Sequence, residues 1–198
     1  IHWGHLIVAE EAKNILGLDR IIFVPARIPP HKIGRSITST KHRMEMVRRA
    51  ISDNSRFEIS GFEVSRPWPT YTVDTVKEFI TRYPDDELYF IMGHDSFLEI
   101  ETWYQYQQLF DLCRLIVVTR PGTKPVAWNQ FDETVRSLYP DQIYDIPDPM
   151  NLTEQPDMWS VCLVNIAGLN VSATEIRHRV RDGKSIRYQV SECVRQYI

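Results

Sequence analysis

The chain begins with two histidines whose spacing suits phosphate chemistry, in the tetrad His2-Trp3-Gly4-His5. Residues three apart share one face of a helix, and the intervening glycine has no side chain to keep a ligand from the backbone. Apolar residues then recur at helical spacing up to Gly17, a residue type that often ends helices. The histidines are therefore predicted at a helix N-terminus, where free N–H groups and the helix dipole favour a phosphate. The alternative is an ordinary surface turn that happens to contain two histidines.

A second candidate phosphate site lies near the other end of the chain, in the segment 170–177 (NVSATEIR). Ser172 is a natural N-cap, and Glu175 three residues later predicts a capping box. On that interpretation the segment is only a well-capped helix. The Ser172 and Thr174 hydroxyls and the forked Arg177 guanidinium would also suit a phosphate at the helix N-terminus. The chain is thus predicted to contain two helix starts suited to phosphate.

The two motifs together resemble the pattern of the nucleotidylyltransferase superfamily, an HxGH at the first helix and an S-[ST/A]-T-x-x-R late in the chain. Over its whole length the chain is more closely similar to bacterial nicotinate mononucleotide adenylyltransferases. Further marks of that family are PPHK at 29–32, TYTVDT at 70–75, GHDS at 93–96, WY at 103–104 and TRPG at 119–122.

The resemblance implies an α/β fold of the nucleotidylyltransferase type, with a Rossmann-like parallel sheet and helices on both of its faces. It implies a single domain over residues 1–198, whose C-terminal helical part, about 170–198, carries the SxTxxR motif. It also implies that a strand and a Gly-Gly-[Ser/Thr]-Phe-Asp-Pro turn precede Ile1 in the natural protein, and we expect this segment to be missing here. Apart from the resemblance, strands alternating with helices favour a parallel sheet that binds ligands beyond its strand ends.

The activity implied by the resemblance is transfer of AMP from ATP to nicotinate mononucleotide, giving nicotinate adenine dinucleotide and pyrophosphate in NAD biosynthesis. The residues implied to be catalytic are His2, His5 and Arg177. Those implied to bind ATP are His2, His5, Gly93, Asp95, Ser172, Thr174 and Arg177. Those implied to bind the mononucleotide are His31, Lys32, Thr72, Trp103 and Tyr104. Mg²⁺ is expected to accompany ATP, with few protein ligands of its own.

The mononucleotide residues divide by the part of the substrate they would contact. His31 and Lys32 resemble contacts to its phosphate. Trp103 offers a flat face for the pyridine ring, although a tryptophan can equally serve as a core anchor. The Thr72 hydroxyl and the Tyr104 backbone N–H look like the donors that receive the ring carboxylate. Two arginines of the marked loops, Arg66 and Arg120, are interpreted as structural clamps.

Composition narrows the classes of protein further. With 43% hydrophobic residues, 25% charged residues and a net charge of −3, the chain is typical of globular proteins and has no basic field for nucleic acid. Its apolar runs are far shorter than a membrane span. The 3 cysteines lack metal-binding spacing and are typical of reduced thiols. Composition therefore favours a cytoplasmic protein that binds neither nucleic acid nor membrane. The resemblance implies an enzyme that binds ATP and nicotinate mononucleotide, and a homo-oligomer stays open.

Hydrophobic periodicity and turn residues predict the elements that position these motifs. Helices are predicted over Gly4–Leu16, from Ser39 or Thr40 onward, over Thr72–Tyr83, after Gly93, and over Ala173–Arg181 and Gln189–Tyr197. Strands are predicted over Arg20–Val24, Phe57–Ile59, Phe62–Val64, Glu87–Met92, Leu115–Thr119 and Val161–Val164. The stretch Asp145–Pro156, with three prolines, is predicted to be a mobile loop.

Two alternative functions stay open at this point. One is another small adenylyltransferase, such as the phosphopantetheine type, which has TxGH and lacks the TYTVDT and Trp-Tyr marks. The other is a non-catalytic nucleotide-binding protein. Loss of either histidine or of Arg177 would have indicated such a protein, and all three residues are present. A P-loop is excluded for Gly183-Lys184-Ser185, because position 178 is histidine where that motif needs glycine.

Overall fold

The computed structural model describes residues 1–27, 38–67, 69–119, 161–166 and 171–198, together with the backbone of 143–146. The chain divides into two compact units, which are described separately. Unit one consists of Ile1–Thr70 with Gly168–Ile198, and unit two consists of Tyr71–Ala167. The expectation of one domain over 1–198 concerns both units together and stays a prediction.

Helices and strands alternate along the described residues. In chain order they are α1 (Trp3–Leu16), β1 (Ile21–Phe23), α2 (Thr40–Ala50), β2 (Phe57–Ile59), α3 (Phe62–Ser65), α4 (Thr72–Arg82), β3 (Tyr89–Gly93), α5 (His94–Leu98), a 3₁₀ turn (Ile100–Thr102), α6 (Gln107–Leu112), β4 (Arg114–Thr119), β5 (Ile143–Ile146), β6 (Val161–Asn165), α7 (Ala173–Arg181) and α8 (Glu192–Arg195).

Helix α1 forms because its apolar residues fall on one side, as the sequence predicts. Its buried residues are Leu6, Ala9, Ala12 and Leu16. The helix ends at Gly17, which adopts the left-handed conformation with φ 64°. The N–H of the next residue, Leu18, donates to the Lys13 carbonyl at 2.9 Å and closes the helix end. The start of α1 is therefore carried by a helix with one buried side and a closed C-terminal end.

Strands β1 and β2 pair in parallel in unit one, with Ile21 opposite Phe57 and Phe23 opposite Ile59. The prediction of a further strand over Phe62–Val64 is wrong, because this segment is the first part of helix α3. The Ser60 hydroxyl accepts from the Phe62 N–H at 3.3 Å and starts a helical turn there. This side-chain cap competes with extended structure.

Unit two contains a four-stranded sheet in the order β3-β4-β6-β5, and each pairing is parallel. Leu115 of β4 lies opposite Val161 of β6, and both are fully buried. Strands covered on both faces consist of continuous apolar runs, which is why the pattern located them. The prediction of a loop starting at Asp145 is wrong for its first two residues, because β5 extends to Ile146. An edge strand of four residues carries too weak a pattern to be recognised before its pairing with β6 is known.

The C-terminal end of unit one differs from its predicted helix. A helix over Gln189–Tyr197 is predicted, whereas α8 covers only Glu192–Arg195. The chain turns immediately before it, because the Gln189 N–H donates to the Ile186 carbonyl at 3.1 Å and Tyr188 has φ 65°. The turn therefore prevents an earlier helix start.

Two general expectations can be compared with the described residues. Among the helices in the described ranges, none combines the length and the apolar character that crossing a bilayer requires. The three cysteines are free thiols, with Cys113 and Cys162 buried and Cys193 partly exposed. Burial raises the pKa of the Cys113 thiol to about 12, which keeps it protonated and unreactive.

Candidate active site

The two histidines of the first motif lie at the start of α1, as the sequence predicts. His2 is the N-cap residue and is buried, with 6% of its surface exposed, whereas His5 is exposed. Their ring centroids are 3.8 Å apart at an interplanar angle of 31°. The buried ring therefore supports the exposed one, and His5 is the histidine that can meet a ligand.

A backbone hydrogen bond indicates which nitrogen of the neutral His5 ring carries the proton. The His2 N–H donates to His5 Nδ1 at 3.3 Å. A nitrogen that accepts a hydrogen bond carries no proton, so the proton of the neutral ring lies on Nε2. His5 is exposed at the helix start, and its neutral ring has Nε2 as the donor.

Backbone donors at the start of α1 are partly used within unit one. The Trp3 N–H donates to the Gln189 carbonyl at 3.1 Å, and the His5 N–H donates to the His2 carbonyl at 3.0 Å. Gly4 lies between these two residues and has no side chain to block an approaching group. The turn before α8 therefore anchors this helix start, and at Gly4 no side chain covers the backbone.

The second motif forms the start of α7 and corrects one prediction. Ser172 is the N-cap residue, and its hydroxyl accepts from the Thr174 N–H at 3.3 Å. The predicted capping box does not form as expected, because the Glu175 carboxylate pairs with Arg179 at 3.1 Å. A charge pair four residues apart on the helix surface competes successfully with the backbone N–H of the cap.

The exposed side of the α7 start carries a guanidinium next to a hydroxyl. Arg177 Nη2 donates to Thr174 Oγ1 at 3.3 Å, and both side chains are exposed. Because the Thr174 oxygen accepts this bond, its hydroxyl proton can point toward another acceptor. The two residues together present several donors in one direction, which suits phosphate oxygens.

Both helix starts belong to unit one, which therefore contains the catalytic candidates of the two motifs, His2, His5 and Arg177.

Arg43 of α2 is a structural residue that the sequence analysis did not identify. Its guanidinium donates to the carbonyls of Ala26 at 2.5 Å, Arg27 at 2.6 Å and Thr38 at 3.0 Å. Burial lowers its pKa. These bonds join the chain on either side of residues 28–37. That segment lies outside the described residues, and it contains the predicted site residues His31 and Lys32. In the sequence, Arg43 is one of several basic residues on a helix, and no local pattern distinguishes it.

Unit two carries the residues predicted to contact adenosine. Gly93 ends β3 and precedes α5, with φ −76° and ψ 152°. A Cβ added at Gly93 would meet no described atom within 4 Å. Asp95 lies in the first turn of α5 and is exposed. Both residues lie beyond the carboxyl end of a parallel strand, the position where such sheets bind ligands.

Gly93 allows a test that separates ligand space from backbone strain. Gly93→Ala is expected to leave the melting temperature unchanged, because alanine tolerates this φ and the space is open. The KM for ATP should rise about tenfold, the lower end of the effect of one extra methyl group in a pocket. Thermal melting and steady-state kinetics measure the two effects.

Gly17→Ala is the matched control. At Gly17 the φ of 64° disfavours any side chain, and the cost of about 1–2 kcal/mol should lower the melting temperature while KM for ATP stays unchanged. An unchanged KM in Gly93→Ala would contradict the adenosine assignment.

The residues predicted to bind the pyridine ring also lie in unit two. Trp103 is half-buried and meets the Phe90 ring edge-on, with centroids 6.2 Å apart. Trp103 also packs against the core of the unit, so part of its side chain serves as a core anchor. Tyr104 is 51% exposed, and Thr72 is the first residue of α4.

A strained turn presents Tyr104. The Tyr106 N–H donates to the Trp103 carbonyl at 3.3 Å, and Gln105 between them has φ 52°. Such a conformation is uncommon for a residue other than glycine, and it often marks a functional segment. Beside the turn, the Tyr104 ring stacks on Tyr71, the neighbour of Thr72, with centroids 4.3 Å apart. The structure therefore brings the α4 start and the Trp103–Tyr104 turn together.

The two arginines interpreted as clamps have different outcomes. The Arg66 carbonyl accepts a hydrogen bond from the Arg27 guanidinium. The Arg66 guanidinium lies 4.9 Å from the centroid of the Phe62 ring. These contacts fit the interpretation of Arg66 as a structural residue. Arg120 lies outside the described residues.

Comparison with known proteins identifies the class of the chain. A family model for cytidylyltransferase-like proteins matches residues 1–179, and the chain therefore belongs to the cytidylyltransferase-like family. A relative from Desulfitobacterium hafniense (strain Y51) named "Probable nicotinate-nucleotide adenylyltransferase" is 43% identical and aligns with 100% of this chain and 87% of its own. A relative of the same name from Thermoanaerobacter sp. (strain X514) is 40% identical, and the alignment covers 100% of this chain and 86% of the relative. Within the family, the chain is a member of the nicotinate-nucleotide adenylyltransferases, and the resemblance seen in the motifs is confirmed.

Solved structures confirm the fold class. The Plasmodium falciparum nicotinic acid mononucleotide adenylyltransferase complexed with NaAD has a TM-score of 0.71 at 20% identity, covering 100% of this chain and 88% of that one. The same Plasmodium protein complexed with APC has a TM-score of 0.69 at 20% identity, with 100% and 88% covered. At this identity the likeness concerns the fold, which is Rossmann-like, with parallel sheets flanked by helices.

Proposed function

We propose that the protein transfers AMP from ATP to nicotinate mononucleotide and releases pyrophosphate. The observation that carries the proposal is the pair of helix starts in unit one, with an exposed His5 on one and the Arg177–Thr174 pair on the other. Both present hydrogen-bond donors suited to a polyphosphate. The names of the relatives support nicotinate mononucleotide as the acceptor.

The chemical step requires positioning and neutralisation of charge. A phosphate oxygen of the mononucleotide attacks the α-phosphorus of ATP, and the bond from that phosphorus to the bridging oxygen breaks. Pyrophosphate leaves with the electron pair of this bond. His5 Nε2 would donate to the phosphoryl oxygens as their charge grows. Arg177, Thr174 and Ser172 would hold the β- and γ-phosphates and so orient the leaving group.

Mg²⁺ is part of the proposal as the counter-ion of ATP. Among the described residues, no group of three or more His, Cys, Asp or Glu is arranged to hold a metal ion. The groups at the two helix starts are hydrogen-bond donors, and donors fit phosphate oxygens rather than a hard cation. When bound, Mg²⁺ shields the negative charges of the phosphates, while the residues of the chain orient the same phosphates.

The pyridine part of the second substrate would bind to unit two. In unit two, Trp103 would stack on the pyridine ring, and the Thr72 hydroxyl and Tyr104 N–H would donate to its carboxylate. His31 and Lys32 stay part of the proposal as contacts to the mononucleotide phosphate. A cytoplasmic location, which the free thiols favour, completes the proposal.

Arg177→Lys tests the grip on the ATP phosphates. A guanidinium can hold a phosphate by two parallel hydrogen bonds, whereas an ammonium acts as a point charge. The KM for ATP should rise about tenfold, equivalent to about 1.4 kcal/mol, with little change in the KM for the mononucleotide. Steady-state kinetics with each substrate varied in turn measure both constants.

Arg181→Lys is the matched control, because Arg181 is exposed one turn further along α7. It should leave both constants unchanged. Equal increases in both constants for Arg177→Lys would indicate a role in the fold instead.

Pyrophosphate release tests the proposed acceptor against the alternatives. We expect release with ATP and nicotinate mononucleotide, and none above background with ATP and 4′-phosphopantetheine. Release with 4′-phosphopantetheine alone would support the other adenylyltransferase. Nucleotide binding without release from either pair would support a non-catalytic protein.

A further inference from the structure

Tyr71 occupies a junction in unit two that the proposed substrate contacts do not explain. It is the N-cap residue of α4 and directly precedes Thr72. Its side chain is half-buried and packs against the hydrophobic core of the unit. Tyr71 therefore has a fixed position next to a residue proposed to receive the carboxylate.

The backbone of Tyr71 also organises the first turn of α4. Its carbonyl accepts from the Asp74 N–H at 3.0 Å and from the Thr75 N–H at 3.2 Å. The Thr75 hydroxyl donates to the same carbonyl at 3.4 Å. These bonds hold Thr72 in the helix start, with its hydroxyl carried by an ordered backbone.

The ring of Tyr71 joins this helix start to the strained turn. It packs against the Tyr104 ring in a tilted arrangement, with centroids 4.3 Å apart and an interplanar angle of 30°. Tyr104 is half-exposed in a turn whose next residue, Gln105, has φ 52°. A strained conformation persists only where surrounding contacts hold it, and the Tyr71–Tyr104 ring pair is one such contact beside the turn. The Gln105 side-chain amide also donates a hydrogen bond to the Tyr104 hydroxyl at 3.1 Å.

We propose that Tyr71 is a positioning residue for substrate selection, which holds the Trp103–Tyr104 turn against the start of α4. This inference rests on the proposed function. Two donors can serve one carboxylate only if their separation is fixed, and they lie on different elements. The Tyr71–Tyr104 stack links these two elements directly. Tyr71 thereby sets the preference for a carboxylate over an amide without itself contacting the ring substituent.

Tyr71→Leu tests this role, because leucine keeps an apolar group against the core and removes the ring pair. The ratio of kcat/KM for nicotinate mononucleotide to kcat/KM for nicotinamide mononucleotide should fall about three- to tenfold, as expected for loss of one aromatic pair. The KM for ATP should stay unchanged. Tyr71→Phe keeps the ring and should retain the ratio of the original protein.

Tyr83→Leu is the matched control at the other end of α4. Tyr83 stacks on Phe79 with centroids 6.0 Å apart, so this variant also loses an aromatic pair. It should lower the melting temperature to a degree similar to Tyr71→Leu and leave the substrate ratio unchanged. A ratio that falls equally in both variants would assign the effect to general loosening of the unit and overturn the proposal.

A double-substitution cycle with Tyr104→Leu completes the test. If the two rings act as a pair, Tyr71→Leu should lower the ratio no further once Tyr104 is leucine. Fully additive effects, or an unchanged ratio in Tyr71→Leu, would overturn the positioning role while leaving the proposed function intact. If the unsubstituted protein releases no pyrophosphate with either mononucleotide, the proposed function itself fails.

Discussion

His5→Ala is expected to lower kcat about 10²–10³-fold, by analogy with removal of one preorganised donor from a site of developing charge. The nucleotide-binding constants should change much less, since only contacts that strengthen in the transition state accelerate the reaction. The basis is the His2 N–H bond to His5 Nδ1, which leaves Nε2 as the donor of the neutral ring. Steady-state kinetics and direct ATP binding measure the two effects.

His178→Ala is the matched control for this substitution. His178 is also an exposed histidine on a helix of unit one, and no catalytic role is assigned to it. It should retain the original kcat. An unchanged kcat in His5→Ala, or a loss that tracks weaker ATP binding alone, would contradict the catalytic role of His5.

The protein is expected to prefer nicotinate mononucleotide over its amide by a factor on the order of 10² or more. In the proposed pocket the carboxylate would accept from the Thr72 hydroxyl and the Tyr104 N–H, whereas the N–H₂ of the amide would face one of these donors and leave both groups unpaired. Each unpaired buried group costs about 1–3 kcal/mol, and about 1.4 kcal/mol corresponds to a factor of ten. Thr72→Ala should reduce this preference selectively, whereas Trp103→Ala should weaken both substrates alike because stacking does not detect the carboxylate.

A competition between both mononucleotides in one reaction measures the preference through the ratio of products. Thr81→Ala is the control, because Thr81 is an exposed threonine near the other end of α4. It should leave the product ratio unchanged. Equal use of both substrates by the unsubstituted protein, or an unaltered ratio in Thr72→Ala, would show that the ring pocket is assigned wrongly.

Sequence patterns predicted the elements whose signals are local. The start of α7 was located by its N-cap residue Ser172, and β4 by a continuous apolar run. The prediction of a strand over Phe62–Val64 was wrong because the helix there, Phe62–Ser65, is too short to show a helical period. Short elements of this kind depend on caps and pairings that the sequence does not display.

The same distinction applies to the candidate site. Histidines at positions 2 and 5 were recognisable from residue type and spacing, but the tautomer of His5 follows from a backbone bond. The Tyr71–Tyr104 stack joins residues 33 positions apart, and it depends on how α4 packs near the turn. The three carbonyl bonds of Arg43 are likewise tertiary contacts. Motifs thus predict the chemical groups, whereas their orientation requires the folded structure.

The fate of the ATP phosphates tests the central claim most directly. The purified protein would be incubated with nicotinate mononucleotide, Mg²⁺ and ATP labelled either at the α- or at the γ-phosphorus. Adenylyl transfer predicts that the α-label appears in nicotinate adenine dinucleotide and the γ-label in pyrophosphate, in equal amounts. A γ-label in the mononucleotide acceptor, or an α-label that stays in ATP and free AMP, would contradict the account.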